Sequence, residues 1–232
     1  MCAFLCGLGI WQMERLHWKE GLIHEVASRT TQPAIAAPPE SAWPNLTQND
    51  LEYSHWLVSG HFDNSKEVRV FANLPDAKGP ARGVGYWIVT PLIREDGSTI
   101  LINRGFVPEI NKDPVSRSAG QIEGPVTIAG LARWTEDRNP FTPADNPATG
   151  DWFTRDIQGI AAAEHLNRVA PFLIDAEASA PGGLPQGGET LLSFPNNHFQ
   201  YALTWFGLAI GLLGVYATMA WRRWSSKPRE GA

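Results

Sequence analysis

Residues 193–223 read SFPNNHFQYALTWFGLAIGLLGVYATMAWRR, and this stretch decides how the rest of the chain is organised. No Asp, Glu, Lys or Arg occurs between Glu189 and Arg222. As a helix, residues 199–221 would be about 34 Å long, against roughly 30 Å of bilayer hydrocarbon. Basic residues follow Trp221 at once, which is typical of the cytoplasmic end of a membrane helix. The pattern predicts a transmembrane helix over residues 197–222 and a basic cytoplasmic tail over 223–232.

The start of this helix carries a histidine in a position suited to metal binding. Asn197 and Gln200 have the spacing of a capping box, which makes His198 the first helical residue, at the outer membrane interface. The positive end of the helix dipole disfavours an imidazolium there, so the ring is neutral and able to ligate a metal. Tyr201 and Trp205 lie on the same side of the helix. A histidine that only begins the helix and bonds water fits the residues equally well.

The opposite side of the same helix is lined by glycines. Gly207, Gly211 and Gly214 fall about 180° from His198 at 3.6 residues per turn. Gly-x-x-x-Gly spacing is a close-packing signal for membrane helices. We therefore expect the glycine face to contact the first membrane helix, or a second copy of the chain, and the His198 face to point away from that contact.

A shorter apolar run opens the sequence. Residues 1–13, MCAFLCGLGIWQM, would give only about 20 Å of helix and do not resemble a cleaved signal peptide. We interpret residues 1–16 as a first membrane helix that is truncated at its start. With both chain ends in the cytoplasm, the intervening residues lie outside it, although Arg15 and Lys19 weigh against this orientation. Residues 17–50 are predicted as an amphipathic helix followed by a Pro-rich connector.

Residues 51–180 change to the pattern of short strands. Runs rich in Val, Ile and aromatic residues are separated by Gly, Pro and Asp, which predicts strands at 56–62, 67–74, 84–94, 98–104, 126–131 and 172–175. A short helix is expected near 157–166, and residues 181–196 are predicted as a flexible lead-in to the second membrane helix. The predicted fold class is a membrane protein with two transmembrane α-helices flanking a mainly antiparallel β (α+β) extracytoplasmic domain.

Composition excludes several classes of function. The chain has 232 residues and a net charge of −5, and the part before the basic tail is more acidic still, so nucleic acid is not an expected partner. Both cysteines, Cys2 and Cys6, precede the polar domain, which therefore has no disulfide, thiolate zinc site or haem-attachment motif. The sequence contains no G-x-S-x-G, phosphate-binding glycine loop or H-E-x-x-H.

Motifs along nearly the whole chain resemble the surfeit locus protein 1 family of cytochrome c oxidase assembly factors. They are LGIWQ at 8–12, GHFD at 60–63, GYWIVTP at 85–91, INRGFVP at 102–108, GQIEG at 120–124, RNPF at 138–141 and NNHFQYALTW at 196–205. The resemblance implies two membrane helices around an extracytoplasmic domain. It also implies a role in delivering or holding haem a for subunit I of the oxidase. The family histidine linked to haem a corresponds to His198.

On this resemblance His198 is the expected metal ligand, and Tyr201 and Trp205 are expected to contact the macrocycle. His17 is a candidate second ligand, although a solvated histidine is the simpler interpretation. Arg15 or Arg104 could pair with haem propionates. Arg104 lies between Asn103 and Gly105, where stabilising a turn of the β domain is the better interpretation.

The expected protein is a multi-pass component of the cell (inner) membrane and not an enzyme. Its expected partners are haem-copper oxidase subunit I, the haem a synthesis enzymes, the lipid membrane and, through the glycine face, a second copy of itself. The alternative is a membrane-anchored extracytoplasmic enzyme with its active site in the β domain. An anchor needs only apolar residues, so a histidine opposite a glycine face favours the assembly factor.

Overall fold

The structure, a computed structural model, describes residues 1–190, 192 and 196–225. The described chain has four α-helices, which are α1 (Cys2–Thr31), α2 (Gln48–Leu51), α3 (Ile157–Ala163) and α4 (His198–Ser225). It divides into a helical unit, made of Met1–Ala27 and the chain from Leu192 onward, and a β unit, Ser28–Leu191. The last residues of α1 thus belong to the β unit.

One mixed sheet forms the body of the β unit. Its eight strands are β1 (Ile35–Ala36), β2 (His55–Phe62), β3 (Val68–Leu74), β4 (Gly83–Ile93), β5 (Thr99–Pro108), β6 (Pro125–Trp134), β7 (Asp151–Trp152) and β8 (Val169–Ala176). The strand order is β1-β2-β6-β8-β5-β4-β3-β7, and a further β2–β4 pairing gives the sheet a barrel-like form. Only the β1–β2, β3–β7 and β5–β8 pairs are parallel, so the sheet is mainly antiparallel, as predicted.

Local sequence patterns explain most of these strands. Ile100 and Ile102 of β5 lie in the same hydrophobic cluster as Trp56 and Phe172, whose rings are 4.9 Å apart. Leu101, between them, belongs instead to the cluster around α3. All three β5 side chains are fully buried, so both faces of this strand are covered.

A tight hairpin turn joins β4 and β5. Ile93 pairs with Thr99, and Gly97 has a φ of +75°, a conformation that favours glycine. The Ser98 backbone N–H donates to the Asp96 carboxylate at 2.9 Å. A hydrogen bond from the Ser98 hydroxyl, joined by this backbone bond, lowers the pKa of Asp96.

In the helical unit, α4 begins at His198 as predicted. Within the described residues it is the one helix that is long and apolar enough to cross a membrane. The sequence predicted two such helices. The apolar start of α1 continues without a break into the segment that begins with Glu14, so a single 30-residue helix includes both. The second membrane span is therefore not shown.

The packing of α1 against α4 is the reverse of the prediction. A Cβ placed on Gly9 of α1 would lie 2.6 Å from the Phe206 ring, so the two helices are in direct contact there. Beta carbons on Gly207, Gly211 and Gly214 would meet no described atom within 4 Å. The expectation that the glycine face seats α1 is wrong. The helices approach closely at Gly9, and the Phe206 ring occupies the space that a side chain at this position would need.

Part of the predicted lead-in is held firmly by the β unit. Gln186 and Phe106 exchange two backbone hydrogen bonds, each of 2.8 Å. The buried Glu189 carboxylate accepts from the Lys78 and Gly79 backbone N–H groups at 2.9 and 2.8 Å. The remainder of the lead-in includes residues 191 and 193–195, which lie outside the described residues, as do tail residues 226–232.

Candidate functional site

The candidate site is centred on His198 at the start of α4. Its ring Nδ1 lies 2.7 Å from Oε1 of Gln12, which is on α1. The Nε2 atom makes no hydrogen bond within the described part of the chain. His198 as a whole residue is half-buried. One ring nitrogen is thus occupied by protein and the other is available to a ligand.

The side of α4 next to His198 is more closed than the sequence suggested. Ala202 and Ala209 are 1% and 2% exposed, so these residues leave no shallow surface on which a flat macrocycle could lie. Tyr201 is 55% exposed, and Trp205 is half-buried. Accessible aromatic surface near His198 therefore lies on the Tyr201 side.

The other basic residues considered as haem contacts have partners of their own. His17 Nδ1 bonds the Met13 carbonyl oxygen in the preceding turn of α1, at 2.8 Å. The Arg15 guanidinium stacks on the Trp18 ring, 4.4 Å from its centre. Each of these contacts is within one helix, and neither involves His198.

Arg104 has the structural role that the sequence favoured. It is 3% exposed, donates to the Gly120 carbonyl oxygen and to Asn64 Oδ1, and lies 4.5 Å from the centre of the Phe62 ring. Burial lowers the pKa of Arg104 to about 10. Its guanidinium attaches the segment Pro114–Gly120 to the sheet and is not free to bind a propionate.

The β unit contains a cavity lined by several charged groups, and such a cavity is where an enzyme site would be sought. Its volume is about 270 Å³, and it is lined by Trp87, Asn103, Arg133, Glu136, Arg155, Asp175, Glu189 and Thr190. Arg155 bonds Asp175 Oδ1 at 3.0 Å and also bonds Glu136. Arg133 reaches Asp175 Oδ2 at 3.4 Å. The charges form a network of ion pairs.

Electrostatics in this network favour the charged forms. Burial opposes ionisation of Glu136, but the Arg155 guanidinium outweighs it and lowers the pKa of this carboxyl. Burial opposes the charge on Arg155 as well, yet Asp175 and Glu136 together raise its pKa. Mutual neutralisation of this kind is typical of a structural cluster. Among the described residues, no group of three or more His, Cys, Asp or Glu side chains is placed to hold a metal ion.

Sequence reasoning missed the role of Gln12. The residue ends the LGIWQ motif, but nothing local marks it as a partner of a histidine 186 positions away. Only the packing of α1 on α4 brings the two side chains together. The motif therefore marked this segment as one of interest but did not indicate that Gln12 contacts His198.

Comparisons with known proteins agree with the motifs. The model of the SURF1 family matches residues 1–210. Surfeit locus protein 1 of Mus musculus is 39% identical over 214 residues, which cover 87% of this chain and 67% of that protein. The Homo sapiens protein of the same name is 38% identical over 216 residues, with coverages of 88% and 69%. The Takifugu rubripes protein is 35% identical over 215 residues, with coverages of 87% and 86%. The chain therefore belongs to the SURF1 family.

Proposed function

We propose that this protein is a non-catalytic assembly factor for cytochrome c oxidase that binds haem a and assists its delivery to, or insertion into, subunit I. Membership of the SURF1 family supports the assembly role. The observation that carries haem binding is the His198 ring, which begins an apolar helix with one nitrogen bonded to protein and the other free. Imidazole nitrogen is a common axial ligand of haem iron.

The residues present fit haem as a cargo rather than a resident cofactor. His198 would hold the iron through Nε2, and Tyr201 and Trp205 would contact the macrocycle from the accessible side. Close packing at Ala202 and Ala209 leaves no enclosing pocket on the other side. A cofactor held at an open edge of this kind can leave sideways to another membrane protein.

The proposed topology places this edge at the outer surface of the cell inner membrane. In this proposal α4 spans the bilayer, the start of α1 belongs to a first membrane helix, and the β unit lies outside the cytoplasm. The basic residues Arg222 and Arg223 at the end of α4 support a cytoplasmic C-terminus. The uncovered glycine face of α4 is then available to a second copy or to oxidase subunit I, and the haem a synthesis enzymes would supply the cargo.

The decisive experiment replaces the proposed ligand. We expect His198→Ala to remove most haem a from protein co-expressed with haem a synthesis enzymes, while the protein stays inserted and folded. The matched control is His24→Ala, which changes an exposed histidine on the other long helix, α1. Haem content is read from the reduced-minus-oxidised absorption spectrum of the purified proteins.

Two results would count against the proposal. Equal haem in wild type and His198→Ala would reject His198 as the ligand. Loss of haem with normal oxidase activity in the same cells would show that haem binding here is not needed for assembly. The alternative, a membrane-anchored enzyme, would be favoured by wild-type protein that carries no haem.

A further inference from the structure

We propose that Gln12 is a positioning residue, which fixes the tautomer of His198 so that Nε2 faces the iron. The inference rests on the proposed function, because a positioned nitrogen matters only if His198 binds haem. It concerns a residue on α1 that touches the ligand side chain and not the haem itself. The contact between Gln12 Oε1 and His198 Nδ1 is 2.7 Å, well within hydrogen-bonding distance.

The chemistry of the two side chains determines where the proton lies. In this orientation of the Gln12 amide its oxygen faces the ring, and because an amide oxygen only accepts a hydrogen bond, Nδ1 carries the ring proton. A neutral imidazole has one N–H, and Nε2 is then left with its lone pair. The neutral ring in water favours the opposite tautomer, with the proton on Nε2, which blocks metal binding at that atom. Gln12 therefore reverses the intrinsic preference of His198.

Helix packing makes this contact specific. Gly9 lies three residues before Gln12 and therefore on the same side of α1. There it contacts Phe206, two turns beyond His198. The close approach at Gly9 thus sets the distance that the Gln12 side chain must span.

The nature of the acceptor suits a cargo carrier. Metal-ligating histidines usually donate their second N–H to a carboxylate, a carbonyl group or water. A carboxylate would make the imidazole a stronger ligand than an amide does, because its charge pulls the ring proton further. Gln12 orients the ring without adding a charge, which allows both binding and release.

Nitrogen NMR of the haem-free protein tests the tautomer directly. We expect ¹⁵N-histidine-labelled full-length protein in detergent, above the pH at which imidazole titrates, to show His198 protonated on Nδ1. Gln12→Met keeps the length of the side chain but has no acceptor, and we expect it to move the proton largely to Nε2. His198→Ala assigns the signal. Gln158→Met is the control for the substitution itself, because Gln158 is an exposed amide on another helix, α3.

A conservative variant separates tautomer control from general disruption of the helices. Gln12→Glu retains an oxygen acceptor, so it should restore Nδ1 protonation. In haem-loaded protein, loss of such a partner typically weakens metal affinity by about 10-fold to 100-fold, which we expect for Gln12→Met. Its Fe–His stretching frequency in the ferrous state should also fall, since the axial imidazole becomes a weaker donor.

The possible failures are distinguishable. If wild type and Gln12→Met show the same tautomer, Gln12 does not position His198, whatever the haem content. The same conclusion follows if Gln158→Met alters the tautomer as much as Gln12→Met does. A wild-type protein with the expected tautomer that takes up no haem rejects the proposed function itself.

Discussion

Gly9→Leu should separate α1 from α4 at the point where the helices meet. The side chain at this position has no space, because even a Cβ would be 2.6, 2.7 and 2.9 Å from three atoms of the Phe206 ring. Carbon atoms in ordinary contact are about 3.5–4.0 Å apart. The Cβ alone therefore requires a movement of about 1 Å, and leucine adds three further carbons.

The energetic effect follows from this overlap. Extra carbons in a packed interface cost about 1–3 kcal/mol, through a changed Phe206 rotamer or a shift of the helix axes. Even at the lower end, that cost exceeds what a single interhelical hydrogen bond contributes on average in a membrane, about 0.6 kcal/mol. The hydrogen bond between Gln12 and His198 is of this size, so it does not compensate for the loss of packing.

Disulfide cross-linking measures the separation. In a background with Cys2 and Cys6 replaced by serine, cysteine pairs along α1 and α4 would be scanned to find the pair that cross-links fastest. We expect Gly9→Leu to slow this cross-link strongly, and Gly207→Leu and Gly211→Leu to leave it unchanged, because their side chains enter open space. The opposite result would refute this packing. If Gly211→Leu slows the cross-link and Gly9→Leu leaves its rate unchanged, the glycine face contacts α1.

Two further predictions concern the β unit and the orientation of the chain. Arg155→Leu should destabilise the full-length protein in detergent by about 3–5 kcal/mol in denaturant titration, because it leaves buried Asp175 without a main partner. Arg168→Leu breaks the exposed pair with Glu40 and should barely move the midpoint; equal effects would contradict a structural network. Reporter fusions should give an extracytoplasmic signal at Gly182 and a cytoplasmic one at Ser226, and a cytoplasmic signal at Gly182 would overturn the proposed topology.

The strands of the β unit could be predicted because their signals are local. The run predicted at 84–94 is β4, Gly83–Ile93, and the run predicted at 126–131 is the centre of β6, Pro125–Trp134. The alternation of apolar and polar residues, and the turn residues between strands, are signals that extend over only a few positions. The order of the strands could not be predicted, because the parallel β5–β8 pairing joins segments about 70 residues apart with no pattern in common.

The prediction of which face of α4 contacts α1 was wrong for a related reason. The glycine spacing at Gly207 and Gly211 is a property of one helix, whereas an interface needs complementary surfaces on two. The single Gly9 of α1 provides a notch for Phe206, and no rule applied to α4 alone could reveal it. Prediction of His198 succeeded as far as its place at the start of α4, which capping residues indicate locally. Its partner Gln12 required the fold.

In the helical unit, the hydrogen bond between Gln12 and His198 depends on the contact between Gly9 and Phe206, and the reverse does not hold. The Gln12 side chain can reach His198 only while Gly9 and Phe206 keep α1 close, so any change that separates the helices must also release the imidazole. Removal of the Gln12 acceptor leaves the Gly9 contact intact, since a methionine occupies the same space. The tautomer of His198 is therefore a consequence of helix packing and not its cause. A partner that displaced α1 from α4 would return His198 to the tautomer that water favours, with the proton on Nε2, and would thereby weaken the proposed bond to haem iron.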